Sequence, residues 1–132
     1  MTIVLDVSAA MQIVLQKDKK DYFENFCRKA SWVIAPELYI SEITNVLWKY
    51  YKNRILTHEE CLQYIEDGLG LIDDYFTAKD MWKEVLGESI KNEHSAYDMF
   101  YAVLARRNNS VLVSNDSELL NIAREMKIES FG

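Results

Sequence analysis

Two short stretches of this chain end an apolar run on a bare aspartate: VLDVS, from Val4 to Ser8, and VLVSND, from Val111 to Asp116. Each aspartate taken alone is a helix cap or a turn residue, since Asp is among the commonest caps. Two further acids change that reading. Glu42 lies within PELYISEITNVLWKYYKN, where Ile40, Ile43, Val46, Leu47 and Tyr50 form an apolar stripe, and helical spacing puts it beside Leu38, Tyr39, Asn45 and Val46. Asp98, in AYDMFYAVLARRN, has Tyr101, Ala102 and Ala105 as its i+3, i+4 and i+7 neighbours, a face not made for water. Carboxylates hemmed in this way are costly unless a cation, hydrogen bonds or a bound proton compensates. Neither helical face carries an obvious Lys or Arg partner. If the four acids converge, a hard divalent cation such as Mg²⁺ or Mn²⁺, which takes oxygen ligands and keeps several waters, is the natural neutraliser. Such an ion lowers the pKa of a coordinated water and orients it for in-line attack on phosphorus.

The elements that must position these acids alternate between short strands and longer helical patterns, an α/β order. TIVLD (residues 2–6) reads as a strand buried on both faces, followed by the helix SAAMQIVLQ capped by Ser8. DYFENFCRKA (21–30) is amphipathic, with Tyr22, Phe23, Phe26 and Cys27 in one stripe and Asp21 placed for the helix dipole. WVIAP is a strand that Pro36 ends, and the proline suits the first turn of the long helix after it. HEECLQYIEDGLGLI, with Thr57 as N-cap, and AKDMWKEVLGESIKN from near Ala78 are helices, with DDYF a loop or stub of strand between them. AYDMFYAVLARRN and SELLNIAREM are helices, SVLVSND a strand, and KIESF a candidate last strand. Strands joined by helices imply a mostly parallel central sheet of four to five strands with helices on both faces. In such sheets ligands lie outside the carboxyl ends of the strands, where Asp6 and Asp116 both fall.

A chain of 132 residues, 49% apolar and 27% charged, with one proline, four glycines and no linker or repeat, is expected to be one domain over residues 1–132. No apolar run approaches the roughly 20 residues that span a bilayer, and no signal peptide is read, so no membrane role and a cytoplasmic location are expected. Cys27 and Cys61 have no partner at metal-ligand spacing and are read as free thiols. The net charge of −6 argues against holding nucleic acid by bulk positive charge, but not against nucleic acid as substrate. His58 and His94 read as isolated surface residues.

In order and context, VLDVS, PELYISEITNVLWK, AYDMFYAVLA and LVSND resemble the PIN-domain ribonucleases, especially the VapC-type toxins of toxin and antitoxin pairs, over Ile3 to about Met126. The matching positions are Asp6 with Ser8, Glu42 with Asn45, Asp98 after Tyr97, and Ser114 with Asp116. Two departures bear on packing and turn geometry: Met99 stands where the family usually has a small residue, and Asn108-Asn109 where a glycine is more typical. The resemblance implies a Mg²⁺- or Mn²⁺-dependent endoribonuclease whose metal is held by Asp6, Glu42, Asp98 and Asp116. Ser8, Asn45 and Ser114 then orient carboxylates or waters. Single-stranded RNA would be guided by Lys49, Lys52, Arg54, Arg106 and Arg107, each of which also reads as a solvated helix end. A homodimer and a small antitoxin partner are further implications, with the antitoxin groove placed in the aromatic-rich region 11–51.

Trp48, Tyr50, Tyr51 and Tyr97 could stack on bases, but helical spacing makes them core or interface residues more often. A haloacid dehalogenase phosphatase needs a second acid where Ser8 stands, and a receiver domain needs a lysine near its last strand, whereas the strand SVLVSND offers Asp116 and no such lysine. The alternative from another class is a catalytically degenerate PIN module that binds RNA or a protein partner without cutting, since a fold can outlive its chemistry.

Overall fold

The computed structural model describes residues 1–132. Five parallel strands form one sheet: β1 (Thr2–Leu5), β2 (Trp32–Pro36), β3 (Asp74–Phe76), β4 (Val111–Val113) and β5 (Ser130–Phe131), in the order β3-β2-β1-β4-β5. The DDYF stub is thus a strand, and it pairs with β2 through Ile34 opposite Asp74 and Pro36 opposite Phe76. Seven helices connect the strands: α1 (Val7–Val14), α2 (Lys20–Lys29), α3 (Leu38–Lys52), α4 (His58–Leu69), α5 (Trp82–Asn92), α6 (Ala96–Arg107) and α7 (Ser117–Glu125). Successive side chains of β1 point to opposite faces, and Ile3, Val4 and Leu5 are all fully buried, so helices cover the sheet on both sides. The chain builds outward from β1 to β3, then returns to set β4 on the other side of β1. The crevice between β1 and β4, at their carboxyl ends, is therefore the topological switch point.

Several local readings shift for identifiable reasons. Helix α1 begins at Val7 and is capped by Asp6, whose Oδ1 accepts from the Ala9 amide at 3.0 Å, so Ser8 is left free to face Asp6 rather than cap. Pro36 remains the last strand residue instead of opening the helix, because an edge pairing with β3 asks nothing of its missing N–H. The pattern from Ala78 splits into a 3₁₀ turn at Ala78–Asp80 and α5 proper, which starts at Trp82. On α3 the buried stripe is Tyr39, Ile43 and Leu47, with Ile40 exposed. Thr57 caps α4 with a full capping box to Glu60. Near the other end of α4, a Cβ on Gly68 would stand 2.2 Å from Ile43 Cδ1, so a larger residue there would require the Ile43 side chain to shift. Both departures from the family pattern are absorbed: Met99 is fully buried in the core, and Asn109 takes the left-handed conformation at φ 49°, which asparagine tolerates better than most residues. Cys27 is half-buried and Cys61 buried, and both are free. No helix is long and apolar enough to cross a membrane.

Candidate active site

Strand β1 delivers Asp6 at its carboxyl end, and β4 delivers Ser114 and then Asp116, which caps α7 by accepting from the Glu118 amide at 3.0 Å. The two aspartates are therefore helix caps, as their positions alone suggested, and they also face the same crevice. Helix α3 brings Glu42 and α6 brings Asp98 to that place. All four acids line one pocket of about 230 Å³, together with Val7, Ser8, Met11, Val46 and Tyr101. No Lys or Arg is among the lining residues.

Each acid is turned toward a hydrogen-bond donor of its own surroundings. Ser114 Oγ donates to Asp6 Oδ2 at 2.5 Å, and Ser8 Oγ stands 2.7 and 2.9 Å from the two Asp6 oxygens. The serines are fixed in turn, since the Asn115 amide donates to Ser8 Oγ at 2.8 Å and the Asp116 amide to Ser114 Oγ at 2.9 Å. Burial pushes the Asp6 carboxyl up to about 6 against these donors, and the charge of Asp116 adds to the rise. Glu42 Oε1 accepts from the Tyr101 hydroxyl at 2.5 Å. Burial raises the Glu42 carboxyl, the Tyr101 bond opposes that, and the charges of Asp6 and Asp98 reinforce it. Burial likewise holds the Tyr101 phenol well above its ordinary value, with the Glu42 charge adding to it.

Asp98 lies 2.9 Å from His94 Nε2, with both side chains largely buried. The isolated, surface reading of His94 is corrected by this contact. The signal was present in His94-Ser95-Ala96-Tyr97-Asp98, whose i, i+4 spacing puts the two side chains on one side of a helix start. His58, by contrast, is exposed and stacks on Tyr51. Tyr101, noted only as a neighbour of Asp98, is the other residue that sequence reasoning passed over, and only its hydrogen bond from α6 across to Glu42 of α3 reveals it.

The remaining candidates separate. Asn45 donates to no carboxylate and lies in a neighbouring cavity with Leu38, Ser41, Glu42 and Tyr97. Lys49, Lys52 and Arg54 are exposed along and just beyond the later turns of α3 and make no ion pair. Arg106 and Arg107 sit at the far end of α6 from Asp98, where Arg106 meets Glu88 at 3.1 Å and Arg107 meets Glu84 at 3.2 Å. That position takes both arginines out of the acid pocket. Trp48, Tyr51 and Tyr97 are exposed rather than core residues. Trp48 and Tyr51 join Leu47, Cys61, Leu62 and Ile65 in an apolar groove between α3 and α4.

No three His, Cys, Asp or Glu side chains stand close enough together to share a metal ion as arranged; Asp6 is turned onto Ser8 and Ser114, Glu42 onto Tyr101, Asp98 onto His94 and Asp116 onto the Glu118 amide. The donor set nevertheless suits a hard divalent cation. All four groups offer carboxylate oxygens, no basic residue lines their pocket, and burial together with the charge of Asp116 raises the most buried of them, Asp6, to about 6.

The PIN domain family description matches residues 3–125. Ribonuclease VapC3 of Pyrobaculum aerophilum is 22% identical over 125 residues, 90% of this chain and 92% of that protein. Among solved structures, PAE2754 from Pyrobaculum aerophilum has a TM-score of 0.77 at 20% identity, over 98% of this chain and 83% of that one. VapBC2 from Rickettsia felis, crystallised with a DNA fragment from its promoter, has a TM-score of 0.70 at 13% identity, over 99% and 98%. FitAcB from Neisseria gonorrhoeae has a TM-score of 0.66 at 12% identity, over 98% and 96%. At these identities the structural likeness is one of fold. The match over nearly the whole chain decides the family: this protein belongs to the PIN domain family.

Proposed function

We propose that the protein is a divalent-metal-dependent endoribonuclease acting on single-stranded RNA, and that it is the toxin of a VapBC-type pair. The observation that carries this is the meeting of Asp6, Glu42, Asp98 and Asp116, from four separate elements, in one pocket that no Lys or Arg lines. The likeness to Ribonuclease VapC3 supports it.

Asp6, Asp98 and Asp116, with Glu42, would hold Mg²⁺ or Mn²⁺, which supplies an activated water and neutralises charge that develops on phosphorus. Ser8 and Ser114 fix the rotamer of Asp6 and hold its carboxyl at the crevice. Tyr101 does the same for Glu42 and keeps its carboxyl more acidic than burial alone would allow. His94 holds Asp98 from the outer wall. Val7, Met11 and Val46 form an apolar lining that limits water around the acids. Lys49, Lys52 and Arg54 offer unpaired charge to an RNA backbone passing along α3.

The partner is a small antitoxin whose apolar side chains enter the groove of Trp48, Tyr51 and Leu62, which overlaps the end of the region 11–51 expected from the sequence and continues onto α4. The toxin itself acts as a homodimer in the cytoplasm. A second reading, a PIN module that binds without cutting, is favoured by the absence of a ready three-ligand cluster. The deciding experiment incubates a labelled pool of single-stranded RNA with the purified protein in Mn²⁺ or Mg²⁺ and in chelator, beside Asp98→Asn. Metal-dependent cutting lost in the variant is expected. No cutting under any condition, together with no Mn²⁺ binding in calorimetry, would leave the non-catalytic reading.

A further inference from the structure

We propose that the open cavity beside the acid pocket is a subsite for one unpaired nucleobase of the RNA, an inference that rests on the ribonuclease reading above. The cavity, about 240 Å³, is lined by Leu38, Ser41, Glu42 and Asn45 of α3 and by Tyr97 of α6. Leu38, Ser41 and Asn45 follow one another at helical spacing and so present a single face. Glu42 is common to this cavity and the acid pocket, and Tyr97 directly precedes Asp98. A nucleotide whose phosphate lies among the acids therefore has its base at this opening.

The lining has the chemistry of base recognition rather than of a core. Tyr97 is 65% exposed, a large aromatic face left without a protein ring against it, and every base offers a π-face to stack there. The neighbouring hydroxyl on α3, Thr44, is tied back to the Ile40 carbonyl at 2.7 Å, whereas the side chains of Ser41, Asn45 and Tyr97 hold no such bond. An asparagine amide offers a donor beside an acceptor, the pattern that base edges complement. One turn beyond Asn45, exposed Lys49 stands where the next phosphate along the strand would pass. The apolar groove between α3 and α4 differs in having almost no free polar group, which suits protein side chains instead.

The test uses fluorescein-labelled six-nucleotide RNAs that carry each of the four bases on either side of the central phosphate. Cleavage is followed with Mn²⁺, and affinity is measured separately by anisotropy in EDTA. Tyr97→Ala should raise KM and the metal-free Kd at least fivefold with kcat within twofold, and Tyr97→Phe should restore both. Asn45→Ala should flatten the differences among the four bases. An unchanged Kd and base pattern in both alanine variants would overturn the subsite, and a change confined to the oligomeric state would mark Tyr97 as a protein contact instead. If the wild type cuts nothing yet Tyr97→Ala loses affinity in EDTA, the subsite stands and the nuclease reading falls. If the wild type neither cuts nor binds, both fall.

Discussion

The two ends of α6 hold acids in opposite states. At its carboxyl-terminal end Glu84 and Glu88 of α5 meet Arg106 and Arg107, and the same arginine fork also reaches the Asp80 carbonyl at 2.8 Å. At its amino-terminal end Asp98 joins Asp6, Glu42 and Asp116, and the chain supplies hydroxyls, an imidazole and backbone amides but no guanidinium or ammonium. Paired acids on a surface are closed by their own chain and contribute little. Unpaired acids in a pocket are a standing demand for a positive ion from outside. The contrast teaches that counting acidic residues says nothing about function until each one's counter-charge has been located.

The sharpest way to break this comparison is to change one residue at each end. Asp98→Asn should lower metal-dependent RNA cleavage by about a hundredfold or more, because a carboxylate proposed to hold the metal becomes a neutral amide. Next in size is the stability of Asp6. Its carboxyl is raised from the ordinary 3.8 to about 6, so the folded form holds a proton that the unfolded chain has released. In metal-free buffer, stability should fall as pH climbs from about 4 to about 6 and level off above, by a total on the order of 3 kcal/mol at 1.36 kcal/mol per unit. Denaturant melts across that range check it. Asp6→Asn should flatten the curve and be more stable than wild type at pH 7.5, and Mn²⁺ should raise the melting temperature of the wild type but not of this variant.

Tyr101→Phe removes the donor that steadies the Glu42 carboxylate. The acidic limb of the pH-rate profile should then move to higher pH, with the alkaline limb unchanged. A downward shift would show that the phenol does not act on Glu42 as its position indicates. The smallest effect belongs to the other end: Arg106→Gln should cost about 0.5 kcal/mol, diminishing with salt, and leave cleavage unaltered. A large loss of RNA cleavage in Arg106→Gln would bring that arginine back onto the RNA path and erase the distinction between the two regions.

Much of the fold is legible in the chain because period and punctuation agree. TIVL and VLV are apolar runs bounded by polar turns, Thr57 to Glu60 spells a capping box, and the AYDMFYAVLARR helix carries its arginines at its end. The acid quartet was legible for the same reason, since strand ends and helix faces fix where side chains emerge. What stayed hidden depends on contacts between distant elements. The Tyr101 to Glu42 bond joins residues 59 apart, and the fate of Arg106 was set by α5, not by its own helix. Asn45 shows the limit of pattern: its spacing from Glu42 fits the family motif, but helical geometry swings it one turn along α3 into the next cavity. His94 is different, for its spacing to Asp98 was visible and its loop position disguised it.

The bond between Ser114 and Asp6 spans 108 residues of chain, and Asp116 lies beyond it. As the polypeptide leaves the ribosome, Asp6, Glu42 and Asp98 all emerge before the strand that completes the crevice. The pocket therefore cannot assemble until β4 has inserted beside β1, an arrangement of long sequence separation that forms late rather than early. A chain with the proposed activity lacks the complete pocket until β4 and Asp116 have been made and have docked beside β1.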